Sequence, residues 1–301
     1  MTQTRGGRFA PVLPLAATLA AMASFQFGAS LAAKGLFPAV GPQGAAALRL
    51  SLGALMLLAI FRPWRGWRKG ASPLPLVGLG VSMGATIVLF YLALSRVPQG
   101  IAIALQFLGP LAVAIFGSRR PSDLVWALLA AGGVWLMVGA PAAGHAIDPL
   151  GVAFALGAAI GWGNYIVVGR KAAAFGPATA SVAVSVAAIV AVPIGLWRAG
   201  WSLFTPSLLP VALAVALLAA ALPFSLELYA LRRLPARTFA IFTSLEPALG
   251  VLAGFAMLGQ RLSLFQLAGV AGVIAAAAGA AFAHASEGSH AGAAFEEAPP
   301  T

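Results

Sequence analysis

Residues 232–247 read RRLPARTFAIFTSLEP, and the reading of this stretch decides the fold. A second copy stands 137 positions earlier, where residues 96–110 read RVPQGIAIALQFLGP. At that single offset Ala93 falls on Ala230, Leu94 on Leu231, Arg96 on Arg233, Pro98 on Pro235 and Pro110 on Pro247. The register extends back to Phe25 and Trp162 and to Lys34 and Lys171. Two prolines with the same spacing in both copies mark an internal duplication of a unit somewhat under half the chain.

Composition says what that unit is made of. The 301 residues are 61% hydrophobic and only 8% charged, against roughly a quarter charged in soluble domains. Such a chain cannot cover a water-facing surface. Apolar runs of about 20 residues recur along it, the length that crosses a bilayer as a helix. The net charge of +11 sits in short clusters between these runs, which is the pattern that orients helices rather than one that binds nucleic acid. The chain has no cysteine, which removes disulfides, thiolate nucleophiles and thiol metal sites. His145, His284 and His290 lie in a loop and the tail without ligand spacing, so no metal site or cofactor is expected.

Ten spans are expected, at about 12–33, 44–61, 74–95, 99–117, 122–141, 150–169, 178–197, 207–230, 237–258 and 263–283. The first follows Arg5 and Arg8 but is too long for a leader peptide and reads as a retained helix. The basic residues then segregate. Arg5, Arg8, Arg62, Arg65, Arg68, Lys69, Arg119, Arg120, Arg170, Lys171, Arg232, Arg233 and Arg237 fall on one side, and Lys34, Arg96, Arg198 and Arg261 on the other. The richer side is cytoplasmic by the positive-inside rule, and both termini go with it. Five spans per copy is an odd number, so the second copy enters from the opposite face. The predicted fold is all-α integral membrane, ten transmembrane helices as two inverted-topology five-helix repeats, an architecture of secondary transporters. The expected division is 1–11 cytoplasmic N-terminus, 12–141 first repeat, 142–283 second repeat and 284–301 disordered cytoplasmic tail. Small residues paired at Gly80/Gly84, Gly157/Gly161 and Gly250/Gly254 suit close helix packing.

An ionisable residue inside a span is expensive and therefore a functional candidate. Glu246 lies about ten residues into the ninth span, roughly 15 Å deep at 1.5 Å per residue, with Pro247 interrupting the helix beside it. A carboxyl there suits a proton-coupled site or an anchor for a substrate ammonium; its structural alternative is a partner for another buried polar group. Arg49, inside the second span, could clamp a substrate carboxylate through its planar fork, snorkel to the interface, or pair with an internal acid. Glu227 stands five residues before Arg232, where a local ion pair at the membrane surface accounts for it. Gln26, Tyr91, Gln106, Asn164, Tyr165, Thr243 and Ser244 form a neutral polar tier. Within it Gln106 and Thr243 are equivalent at the 137-residue offset, and Gln26 and Asn164 nearly so. A polar ring from spans 1, 4, 6 and 9 would line a midplane cavity; singly, each is more often a bond between helices. No catalytic triad, paired catalytic carboxylates or phosphate loop is visible, so no enzymatic chemistry is expected.

Four stretches carry a resemblance to a known family: ASFQFGASLAAKGLFPAVG (23–41), ALRLSLG (47–53), GPLAVAIFGSRRPSD (109–123) and ALPFSLELYALRRLPARTFAIFTSLEPAL (221–249). Together they resemble the EamA-type branch of the drug/metabolite transporter superfamily, and within it the threonine/homoserine exporters of bacterial inner membranes. The likeness spans nearly everything but the tail. It implies efflux of small neutral amino acids by proton antiport, with a lipid bilayer, an amino acid and protons as partners and a homodimer as a compatible assembly. Glu246, Glu227 and Arg49 fall on matching family positions. The chain departs at Gln106, where that family tends to carry an acid, and at Gln260, where it carries the Glu of an LGE tripeptide. A drug or metabolite exporter on the same scaffold is the alternative, and a non-transporting membrane protein a remoter one.

Overall fold

The computed structural model describes residues 12–65, 73–118, 123–139, 147–172, 179–231, 233–234 and 236–296, with the backbone alone at 65, 118, 139, 170, 228, 231, 236–237 and 283–296. The N-terminal segment 1–11, the boundary between the repeats at 141/142, residues 297–301 and several of the clustered basic residues, Arg68, Lys69, Arg119, Arg120 and Arg232 among them, lie outside the described residues.

Among the described residues the chain is helical throughout. The first half runs α1 (Val12–Gly35), α2 (Phe37–Phe61), α3 (Leu74–Leu94), α4 (Gln99–Gln106), α5 (Leu108–Ser118) and α6 (Asp123–Gly139). The second half repeats the order with α7 (Pro149–Ala172), α8 (Thr179–Ala199), α9 (Leu209–Ala216) joined to α10 (Leu222–Leu231), α11 (Ala236–Thr243), α12 (Glu246–Leu258) and α13 (Leu264–Glu296). Nine of the resulting helical stretches are long and apolar enough to cross a membrane, and the shorter apolar helix Asp123–Val138 takes the remaining place. This is the ten-helix integral membrane fold the hydropathy pattern predicts.

The packing follows the duplication. Helix α2 lies on its own equivalent α8, and α6 on its equivalent α13. Helix α3 packs on α7 as α9 and α10, its counterparts, pack on α1. Each contact is thereby exchanged for its mate, the relation expected of two repeats facing each other in inverted sense.

Both copies break at the same place, and the prolines explain it. Proline has no N–H to donate and clashes with the carbonyl four residues back, but it fits the first turn of a helix. The fourth span therefore stops at Gln106 and restarts at Leu108 ahead of Pro110, while the ninth stops at Thr243 and restarts at Glu246 ahead of Pro247. Glu246 is thus the first residue of α12 rather than a mid-helix residue before a break.

Two boundaries and one interior turn differ from expectation. The second span begins at Phe37 rather than near 44, because α2 bends at Gly41–Pro42 without ending there. The eighth carries a π-helical turn at Leu217–Ala221. Helix α13 continues to Glu296, where the composition predicts disorder from 284; alanine, the strongest helix former, recurs through that stretch. Outside the spans, Arg96 and Asp148 form an ion pair of 2.8 Å that ties the α3–α4 connection to the start of α7. The Arg96 guanidinium, helped by the Leu150 N–H, holds the Asp148 carboxyl below its ordinary value of 3.8. A lowered folded pKa means that the support this pair gives is present above that value and is lost as pH falls through the folded one.

The close approach of α3 and α8 depends on Gly80. A Cβ built there would lie 2.7 Å from the Ala183 carbonyl oxygen and overlap Val186. We expect Gly80→Val to cost about 1–3 kcal/mol, the usual range for overpacking, read as a lowered melting temperature of the detergent-solubilised protein.

Candidate functional site

A cavity of about 110 Å³ opens between the two halves. Its wall is largely aromatic and aliphatic, with Phe25, Met83, Phe90, Trp162 and Phe224 prominent. Into this wall are set Arg49, Gln106, Tyr165, Glu227 and Glu246. One cation and two carboxylates thus share a small, apolar-walled space.

Arg49 is completely buried, and the π-helical turn explains how α2 can carry it there. A π turn skips a hydrogen bond and leaves carbonyls free, and such turns recur at functional sites. The Ala219 carbonyl of that turn accepts from Arg49 Nη2 at 2.7 Å, and the neighbouring Leu218 carbonyl accepts from Ser24 Oγ at 2.7 Å. The guanidinium lies over the Phe25 ring, 4.6 Å from its centroid, and 5.4 Å from that of Tyr91. Its Nε and Nη1 have no hydrogen-bond partner among the described residues. Of the readings open for Arg49, snorkelling is excluded by burial, and no acid is hydrogen-bonded to it among the described residues.

Glu246 sits at the N-terminus of α12, where the helix dipole favours a negative charge. Gln26 Nε2 donates to Glu246 Oε1 at 3.1 Å. Behind Gln26 the polar chain continues. Gln99 Nε2 donates to the Gln26 carbonyl and to its Oε1, at 2.8 and 3.0 Å, while Ser30 Oγ donates to Gln99 Oε1 at 2.7 Å. Gln99 and Ser30 escaped the sequence reading. Gln99 was read only as the first residue of the fourth span, at its edge, although the i, i+4 spacing of Gln26 and Ser30 on α1 was the available signal.

The polar tier divides. Gln106 and Tyr165 line the cavity with the charged residues, and Gln26 reaches it through Glu246. Gln106 Oε1 has no hydrogen-bond partner among the described residues. Glu227 lines the cavity four residues before the end of α10 rather than standing at the surface, and its expected partner Arg232 lies outside the described residues. Tyr91 is buried beneath Arg49 and packs edge-on to Phe37 at 5.4 Å. Asn164 is exposed and donates to Ser82 Oγ at 2.6 Å on the flank of α7. Thr243 turns back to the Ala240 carbonyl at 3.0 Å, and Ser244 to that of Ile241 at 2.6 Å. The ring expected from spans 1, 4, 6 and 9 therefore forms only in part: breaking the ninth span at Thr243 brings Glu246, not the threonine, to the place opposite Gln106.

Comparison with known proteins gives the family. Residues 149–282 match the EamA-like transporter family. The chain is 49% identical over 268 residues to the threonine/homoserine exporter RhtA of Escherichia coli (strain K12), covering 89% of this chain and 90% of that one. The same figures hold for the threonine/homoserine exporter RhtA of Salmonella typhimurium (strain LT2). The chain belongs to the EamA-like transporter family. An uncharacterized transporter of Bacillus subtilis (strain 168), YwfM, is 28% identical over 83% of this chain and 88% of its own. A protein of known crystal structure superposes with a TM-score of 0.58 at 22% identity, over 87% of this chain and 95% of its own, which supports the fold. As an EamA-like protein this is a transporter and not an enzyme.

Arg49 is also structural through the Ala219 carbonyl. Arg49→Met should cost about 1.5–3 kcal/mol, the range for a hydrogen bond to a charged group, whereas Ser24→Ala should cost about 1 kcal/mol. Thermal unfolding of the two variants in detergent checks the order.

Proposed function

We propose that this protein exports small neutral amino acids of the threonine and homoserine kind across the bacterial inner membrane, in exchange for protons and by alternating access. One observation carries the reading: the cavity sets unpartnered guanidinium donors of Arg49 and the carboxylates of Glu246 and Glu227 in one apolar wall. A zwitterion presents both signs of charge within a few ångströms, so a site for it needs both. Arg49 clamps the carboxylate through its planar fork, and Glu246 anchors the ammonium and carries the proton. The exporters of threonine and homoserine at 49% identity support the substrate class.

The basic residues counted by side assign the Glu227 end of the bundle, and both termini, to the cytoplasm. Glu227 then stands toward the compartment from which an exporter loads. The repeats 12–141 and 142–283 are the two bodies that rock, with 1–11 and 284–301 as cytoplasmic ends. One chain holds a complete cavity, so a homodimer would juxtapose two sites without sharing them.

The aromatic wall of Phe25, Phe90, Trp162 and Phe224 favours a second reading, export of larger apolar drugs or metabolites. A competition panel against labelled threonine separates the two: displacement by zwitterions alone supports the first, displacement by apolar cations the second.

In proteoliposomes loaded with labelled threonine or homoserine, an imposed pH gradient should accelerate release. Glu246→Gln should lose that acceleration while still inserting; unchanged coupling removes Glu246 from the mechanism. Arg49→Lys, which keeps the charge and loses the fork, should raise KM by roughly tenfold or more.

A further inference from the structure

The polar chain behind Glu246 extends beyond what substrate binding requires, and its far end crosses from one repeat to the other. Gln99 opens α4 of the first repeat directly after Pro98, and no side chain of its own segment caps that helix. Its backbone N–H, one of the donors every helix N-terminus leaves unpaired, instead donates to Gln260 Oε1 at 2.9 Å. Gln260 belongs to the second repeat and is rigidly placed. Gly259, in the left-handed region at φ 66°, ends α12, and the N–H groups of Gly259 and Gln260 return to the carbonyls of Phe255 and Gly254 at 3.2 and 3.1 Å. A helix of one repeat is thus capped by a side chain of the other. Any rocking that opens this end must break that bond.

The same residues connect to Glu246 with a fixed polarity. Gln99 Nε2 faces the backbone carbonyl of Gln26, a group that can only accept, so the orientation of the Gln99 amide is not free. That nitrogen also donates to Gln26 Oε1, which turns Gln26 Nε2 toward Glu246. Ser30 completes the chain by donating to Gln99 Oε1. The side-chain donors of Ser30, Gln99 and Gln26 therefore run toward Glu246, and its Oε1 is held as an acceptor. A proton must go to Oε2. Gln26, Ser30 and Gln99 have no exposed surface, so water does not compete for these bonds.

Building on the export reading, we propose that Gln99, Gln260 and Ser30 act with Gln26 as a latch that holds this end of the bundle shut while Glu246 is ionised and empty. The hydrogen bond from Gln26 is charge-assisted when Glu246 carries its charge and becomes an ordinary one when a proton or a substrate ammonium neutralises it. An empty, ionised carrier stays closed here; a loaded or protonated one is released. The rule keeps an empty, ionised carrier from opening at this end and leaves it facing the side from which solute loads. These are positioning residues, acting through Glu246. The other charged or titratable groups at the cavity are Glu227 from α10, Arg49 from α2 and Tyr165 from α7. Of the elements packed on α12, α1 has only Lys34 at its far end, and α4 and the described side chains of α13 have none.

The chain lacks cysteine, so a single one can report opening. Ile103 is fully buried one turn inside Gln99 and packs beside Gly250 and the Gln26 amide. In the full-length protein with Ile103→Cys, in sealed vesicles, a membrane-impermeant maleimide added from the Gln99 side should label slowly at alkaline pH. Labelling should quicken roughly tenfold on acidification, the step between charge-assisted and neutral bonds. Adding Glu246→Gln or Gln99→Met should give fast labelling at every pH. Gln260→Leu should also quicken labelling, while Gln260→Glu, which keeps the acceptor, should leave it slow. Labelling of the parent that ignores pH, or Gln99→Met and Gln260→Leu as slow as the parent, overturns the latch; if Gln99→Met does not insert, the Gln260 pair decides. Threonine at alkaline pH should quicken labelling as acid does. A preserved response to acid with none to threonine sinks the substrate assignment and leaves the latch standing.

Discussion

Inside a bilayer no water is present to satisfy a free N–H or C=O, and each one left unpaired costs several kcal/mol. Helices meet that demand by themselves; broken helices do not. This protein breaks three of its spans near mid-depth, at Phe107, at Ser244–Leu245 and at the π turn Leu217–Ala221. Its buried polar side chains gather where those breaks leave backbone to be satisfied. Ser24 and Arg49 take the carbonyls the π turn exposes, and Gln106 and Glu246 stand beside the other two breaks; at the start of the fourth span Gln260 takes the first N–H of α4. The polar site is therefore tied to the helical scaffold by the same bonds that make the scaffold tenable.

That tie explains how a single buried arginine is held. One end of the guanidinium is bound to the Ala219 carbonyl and its face is covered by Phe25 and Tyr91, so the remaining donors are fixed in direction before any ligand arrives. Preorganisation of this kind lowers the ordering cost that binding a small zwitterion would otherwise meet. The two carboxylates supply the opposite sign on the far elements α10 and α12, so a ligand bridging the signs would bridge the two repeats as well.

Much of this was legible in the residues alone. The 137-residue offset, the odd number of spans per copy and the paired prolines led to the inverted duplication, and the cost of burying charge singled out Glu246, Arg49 and Glu227. What escaped was set by local geometry. The apolar run LLAAA at 217–221 has no residue that announces a π turn, so the partner of Arg49 was invisible. Proline announced a break, but the helix restarted one residue ahead of it, which rotated Glu246 into the cavity and left Thr243 satisfied by its own turn. Glu227 was read against Arg232 because five residues separate them, and no neighbouring residue signals that α10 turns this carboxyl to the cavity. Gln99 lies next to a proline at the edge of its span and Gln260 just past the end of another, and no periodicity shows that one caps the helix the other opens.

Gln106 bears on the stoichiometry. It lines the cavity with a free amide oxygen and carries no proton at any accessible pH. The carboxylates that line the cavity are Glu246 and Glu227, both in the second repeat, so under the proton exchange proposed above at most two protons could be carried there per cycle. Among the described residues Glu246 is the one of the two with a hydrogen bond to the first repeat, through Gln26. On the proposed antiport a proton on Glu246 would alter a bond that joins the two repeats, whereas one on Glu227 would act through the field alone, so the coupling would rest on Glu246.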